Sequence, residues 1–137
     1  MDENIIIGVM GPGSGAATAD IEVDFTVGKS LAEHGYTVLT GGRNSGVMEA
    51  TMKGAKSTGG LTIGILPSEN ELHQSSFVDI PIKTGLCSAR NNINVLTSDL
   101  IIGIGIGLDT TSEITLAIKS NKPVILLNQT KKSVDFF

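Results

Sequence analysis

The sequence has one cysteine, no tryptophan, one tyrosine and four prolines among its 137 residues. A lone thiol, Cys87, excludes an internal disulfide and cannot by itself build a cysteine zinc site. That usage suits a reducing compartment. The near absence of large aromatics removes stacking platforms for nucleic-acid bases. Nor is there a basic excess: ten Lys and Arg stand against 14 Asp and Glu, a net charge of −4, whereas a nucleic-acid footprint needs a basic stripe. No apolar run approaches the ~20 residues of a membrane span, and the opening MDENIII lacks a basic leader region. A cytoplasmic protein with neither nucleic-acid nor membrane partner is expected. No metal site is expected either: His34 reads as a helix-end residue, and His73 lies in the polar stretch 67–76 without a ligand at metal spacing.

Glycine is what the chain has in excess, 17 residues against roughly ten for an average chain of this length. With 40% hydrophobic and 18% charged residues, neither disorder nor a collagen period explains it. The glycines gather as Gly11, Gly13, Gly15, then Gly41, Gly42, Gly46, then Gly103, Gly105, Gly107. Each cluster follows or ends a short apolar run. The runs at 5–10, 36–40, 61–66, 99–106 and 123–128 are continuous rather than alternating, as in strands buried on both faces of a parallel sheet. A weaker run at 77–82 contains Pro81 and reads as a short or edge strand.

Helical patterns fill the intervals. Residues 18–34 place Ile21, Phe25, Gly28 and Leu31 on one stripe. Further helices are predicted over 46–58, 88–97 and 111–121. Strand–helix alternation predicts one domain, 1–137, with an α/β Rossmann-like, doubly wound, mostly parallel sheet and helices on both faces. Ligands bind such sheets beyond the carboxyl ends of the strands, where the glycine clusters fall and where amides at helix starts favour an anion.

Four constellations follow. Gly11, Gly13 and Ser14 let the backbone approach a phosphate or serve turn geometry alone; neither dinucleotide nor P-loop spacing is present. In Gly41-Gly42-Arg43-Asn44-Ser45-Gly46, Arg43 offers a planar fork to an anion or lies on a solvent loop, and Asn44 or Ser45 caps the next helix. Arg90 opens the following helix; with Arg43, the only other arginine, and Lys83 it makes a positive pocket, or it sits in a buried salt bridge. In Gly105-Ile106-Gly107-Leu108-Asp109-Thr110-Thr111-Ser112-Glu113, Thr110 and Glu113 have capping-box spacing; alternatively Glu113 is a carboxylate beside an anion site. Cys87 reads as a small buried packing residue.

Together these motifs resemble the LONELY GUY-like branch of Rossmann-type proteins, a group also called "possible lysine decarboxylases". The likeness covers nearly the whole chain and is most specific in GGRNSGVMEATMKGAKSTGGLTIGILP. Active members hydrolyse the N-glycosidic bond of adenine-type nucleoside monophosphates; their catalytic arginine and glutamate fall on Arg90 and Glu113. Nothing marks a pyridoxal-phosphate lysine. The family's closing motif, PGGxGTxxE, is altered: Gly105 stands at the proline, Ile106 at the first glycine and Asp109 at the glycine before Thr110. A carboxylate there repels phosphate, and a β-branched side chain limits backbone approach.

The chain is accordingly most similar to a non-enzymatic branch, the molybdenum cofactor carrier proteins of algae and cyanobacteria. This resemblance implies molybdenum cofactor, a phosphorylated pterin whose dithiolene holds molybdenum, as a carried ligand. Gly11, Gly13, Ser14, Gly41, Gly42, Arg43 and Asn44 would hold its phosphate and pterin ends. Arg43, Lys83 and Arg90 would supply charge, and Gly105, Gly107, Thr110, Thr111 and Glu113 the opposite wall. The alternatives are a phosphoribohydrolase using Arg90 and Glu113, and an assembly protein with a vestigial pocket. The resemblance also implies a homo-oligomer, a tetramer rather than a dimer; the sequence alone adds only that Met48, Met52 and similar residues could sit at such an interface. A further helix after the last strand is usual in the family, so the tail ending Asp135-Phe136-Phe137 reads as short.

Overall fold

A computed structural model describes residues 4–137; Met1–Glu3, which begin the stretch read above as lacking a leader, lie outside the described residues. The apolar runs form β1 (Ile6–Met10), β2 (Thr37–Thr40), β3 (Thr62–Leu66), β4 (Ile80–Lys83), β5 (Leu100–Ile104) and β6 (Val124–Leu127). They join in one six-stranded sheet of order β4-β3-β2-β1-β5-β6, every pairing parallel. This is the Rossmann-like α/β architecture that the sequence implies. The run containing Pro81 is an edge strand, with all four residues of β4 exposed.

The connections are α1 (Thr18–Glu33), α2 (Gly46–Ser57), a 3₁₀ turn (Cys87–Arg90) leading into α3 (Asn91–Thr97), and α4 (Leu108–Lys119). Successive strands step outward from β1 to β4, then the chain returns to pair β5 with the other side of β1. Reversing direction moves the crossover helices to the other face. So α1 packs on α2, and α3 packs on α4.

The pleat explains why the strands are apolar throughout. Val9, Val38 and Ile102 enter a layer with Val47 and Ala55 of α2, while their neighbours Met10, Leu39 and Ile101 enter a second layer with Val95 and Ala117. Successive side chains point to opposite faces, and both faces are covered. Full burial of each such side chain contributes about 1.5–3 kcal/mol.

Three helical expectations are corrected. On α1, Ile21 is 41% exposed, while Asp20 and Asp24 are buried. The cause is the crossing of α1 and α2. A Cβ on Gly28 would stand 2.0 Å from the Thr51 carbonyl oxygen, and one on Gly54 would stand 2.1 Å from that of Phe25. This backbone approach turns the Asp24, Gly28, Leu31 row inward and Ile21 outward. Second, Met52 is fully buried and so offers no surface to an interface, while Met48 is half-buried against the cleft described below. Third, the tail does form a helix, α5 (Lys131–Phe136), capped by the Thr130 hydroxyl, which accepts the Ser133 N–H at 3.2 Å.

Candidate functional site

Three loops meet at the carboxyl edge of the sheet, beside the β1–β5 crevice where strand order reverses. They connect β1 to α1, β2 to α2 and β5 to α4. The starts of these helices, at Ala17, Ser45 and Gly107, have no side-chain cap. Ser45 thus occupies the expected capping position without bonding. Uncapped helix starts leave first-turn amides for an anion or water, though Val47 gives its N–H to the Pro12 carbonyl at 3.1 Å.

Between the loops lies a cleft of about 330 Å³. Of the expected residues it brings together Gly11, Gly13, Ser14, Gly41 and Arg43 on one side, and Arg90, Gly107, Thr110 and Glu113 on the other. The rest lie off its wall. Gly42 gives its N–H to the Thr40 hydroxyl at 2.9 Å, and Asn44 gives its backbone N–H to the His73 carbonyl at 2.8 Å. The Gly105 carbonyl accepts from the Gln129 side chain, and the Thr111 hydroxyl donates to the Gly107 carbonyl at 2.7 Å. Lys83 sits on edge strand β4 with its ammonium 3.2 Å from Glu71, an exposed pair that lines neither this cleft nor its neighbour.

Arg90 is 5% exposed. Its Nε donates to the Ile65 carbonyl at 3.0 Å, Nη1 donates to Asn91 Oδ1, and Nη2 lies so close to Gly41 that a Cβ there would stand 2.6 Å away. Only glycine fits beneath this guanidinium. No carboxylate comes within ion-pair distance of Arg90 among the described residues, so the salt-bridge alternative is not what holds it. Burial holds its pKa below the usual arginine value; Glu113 and Asp109 oppose that shift, and Arg43 adds to it.

Glu113 is also 5% exposed. Its Oε2 accepts from Asn94 Nδ2 at 2.8 Å. Burial pushes its pKa up to about 7, aided by Asp109 and opposed by the Asn94 bond and Arg90. The capping-box reading is therefore corrected. With Gly107 extended at φ −169°, α4 starts at Leu108, so Thr110 is already helical and Glu113 faces inward to α3.

The sequence reading overlooked the asparagines. Asn91 Nδ2 donates to Asp109 Oδ1 at 3.0 Å and lies 2.9 Å from the Ser112 hydroxyl. Asn91 and Asn94 are spaced three apart, hence on one face of α3, and they tie it to α4. Their burial is the only reason to single them out, and spacing alone does not reveal it. A second cavity of about 320 Å³ adjoins the first; both are lined by Arg43, Arg90 and Asp109. Cys87 lines this second cavity and is exposed at φ 52°, not a packing residue. It begins the 3₁₀ turn, which carries its side chain away from the core. His34 does end α1, with Nδ1 2.7 Å from the Ser30 carbonyl.

A doubly wound sheet with a switch-point cleft lined by two arginines and flanked by three uncapped helix starts defines a Rossmann-like protein. More specifically, the chain belongs to the SLOG cluster4 family, whose model matches residues 4–137. It is similar to the molybdenum cofactor binding protein of Rippkaea orientalis, at 55% identity over 98% of this chain and 83% of that one, with a TM-score of 0.97. It is similar also to the molybdenum cofactor carrier protein of Chlamydomonas reinhardtii, at 48% identity, 98% and 83% coverage and a TM-score of 0.94. An uncharacterized protein of Archaeoglobus fulgidus is 44% identical over 121 residues, 88% of this chain and 78% of that relative.

Proposed function

We propose that this protein binds and protects molybdenum cofactor in the paired cavities, as a carrier rather than an enzyme. The observation that carries the reading is the position of Arg43 and Arg90 between two joined cavities, beside the uncapped starts of α1, α2 and α4. An elongated ligand with a pterin at one end and its phosphate and metal-bearing dithiolene at the other suits two chambers with positive charge between them. The similarity to a molybdenum cofactor binding protein and a molybdenum cofactor carrier protein, at 55% and 48% identity, supports it. Amides of the Gly11–Ser14 and Gly41 turns would hold phosphate, Arg43 and Arg90 would balance charge, and Gly107 and Thr110 would close the far wall. Lys83, held by Glu71, would contribute only to the distant field. Assembly into a homo-oligomer is part of the same reading.

One observation favours the hydrolase alternative. Glu113 shares the cleft with Arg90, and its carboxyl is pushed up to about 7, a poise suited to a general acid. The protein should be mixed with molybdenum cofactor in air, and separately with adenosine monophosphate. Protection of the cofactor from oxidation without adenine release is expected. Adenine release that disappears in Glu113→Gln, with no protection, would establish the hydrolase instead.

A further inference from the structure

Asp109 stands where an anion site should have no acid. It lies in the first turn of α4, is exposed, and lines both cavities together with the two arginines. Its position is nevertheless built. Asn91 Nδ2 donates to Oδ1 at 3.0 Å, and Asn91 is itself fixed by Arg90 Nη1 on its own Oδ1. No arginine or lysine comes within ion-pair distance of Asp109 among the described residues. Its Oδ2 takes no donor from the chain among the bonds of the described residues. The carboxylate is therefore oriented but not ion-paired: Oδ2 is free at the junction of the cavities, and Oδ1 keeps a second lone pair beyond the Asn91 bond.

A ligand that is only an oxyanion is repelled by such a group. A ligand that gains from it brings N–H donors beside its anionic part, because a carboxylate accepts two parallel N–H bonds. A ring N–H next to an exocyclic amino group is the matching edge. Pro67 and Leu72, the latter 65% exposed, give the second cavity apolar surface for the face of a flat ring.

We propose that Asp109 reads the ligand's heterocycle, its carboxylate accepting both N–H groups of a 2-amino-4-oxopyrimidine edge, the edge that pterin and guanine share. This rests on the carrier reading for the pterin source. Adenine places an acceptor nitrogen beside its amino group, so it makes one bond and meets one repulsion. Asp109 thus selects for one heterocycle edge and against the other.

Binding of four probes tests this by titration calorimetry: the oxidised phosphorylated pterin released from the cofactor, and guanosine, inosine and adenosine monophosphates. Wild type should bind guanosine more tightly than inosine monophosphate, which lacks the amino group, and adenosine monophosphate most weakly. Asp109→Asn turns one acceptor into a donor. It should weaken the pterin and guanosine monophosphate about ten- to hundredfold and bring adenosine monophosphate level with them or ahead. Equal wild-type affinity for guanosine and adenosine monophosphates, or an unchanged preference in Asp109→Asn, would overturn the proposal. The wild-type ranking decides even if the variant misfolds. A guanine nucleotide bound far more tightly than the pterin would keep the edge-reading role and overturn the carrier reading. Cofactor bound equally by wild type and Asp109→Asn would overturn the edge reading alone.

Discussion

Asn94 holds Glu113: its side-chain amide donates to Oε2 at 2.8 Å, joining α3 to α4 where both residues are buried. The bond favours the carboxylate, yet burial prevails and lifts the folded-state pKa from 4.5 to about 7. A raised carboxyl pKa means the folded state binds the proton more tightly. This contribution to stability is full below about pH 4.5 and is lost as pH rises through about 7. Melting temperatures of wild type should fall across that window. Glu113→Gln should flatten part of the slope; an identical pH profile in the variant would remove Glu113 from the account.

Asp24 should behave in the same sense. It is fully buried, neither oxygen has a partner, and burial, then Asp20, raises its pKa from 3.8 to about 7. Above that pH a charge must be kept inside α1 or the helix must loosen. Asp24→Asn should stabilise the protein at pH 8 by about 2 kcal/mol and have a smaller effect at pH 5. Chemical denaturation at the two pH values reads the difference.

The crossing of α1 and α2 tolerates no side chain. Gly28→Ala and Gly54→Ala would each drive a methyl against a backbone carbonyl. Each should cost about 1–3 kcal/mol, seen as a lower urea midpoint, despite alanine's better helix propensity. A gain in stability from either would show that the helices can separate freely.

The two arginines should separate by substitution. Arg90 is anchored through Nε and Nη1 under Gly41, a geometry that lysine cannot copy. Arg90→Lys should lose about 1–3 kcal/mol of stability along with ligand binding. Arg43 is exposed, so Arg43→Ala should weaken binding about tenfold while stability stays within about 0.5 kcal/mol. Denaturation and ligand titration on both variants check this.

Much of the fold is legible in the chain because burial on both faces leaves a simple mark. IIIGVM and DLIIGIGI have no polar face to give, so they predict a parallel sheet, and glycine clusters at their ends locate the cleft. Arg43 and Arg90 stand out as the chain's only arginines, next to those turns, and Glu113 stands out by its spacing from Thr110. What escaped depends on how elements approach one another. The stripe of Ile21, Phe25, Gly28 and Leu31 leaves out Asp24, which is buried because the close approach at Gly28 and Gly54 sets which side of α1 faces inward. Thr110 and Glu113 had capping spacing, but Gly107 started α4 early. Lys83 looked like part of the positive pocket until β4 placed it at the sheet edge beside Glu71. Asn91 and Asn94 are ordinary helix residues in the sequence and become anchors only when α3 meets α4.

The most direct measurement is an anaerobic titration of molybdenum cofactor into wild type and Arg43→Ala. Saturable binding is expected, with one ligand per chain, competition by inorganic phosphate, and about tenfold weaker binding in the variant. No saturation, or binding indifferent to both phosphate and Arg43→Ala, would contradict the assignment of the paired cavities to this ligand.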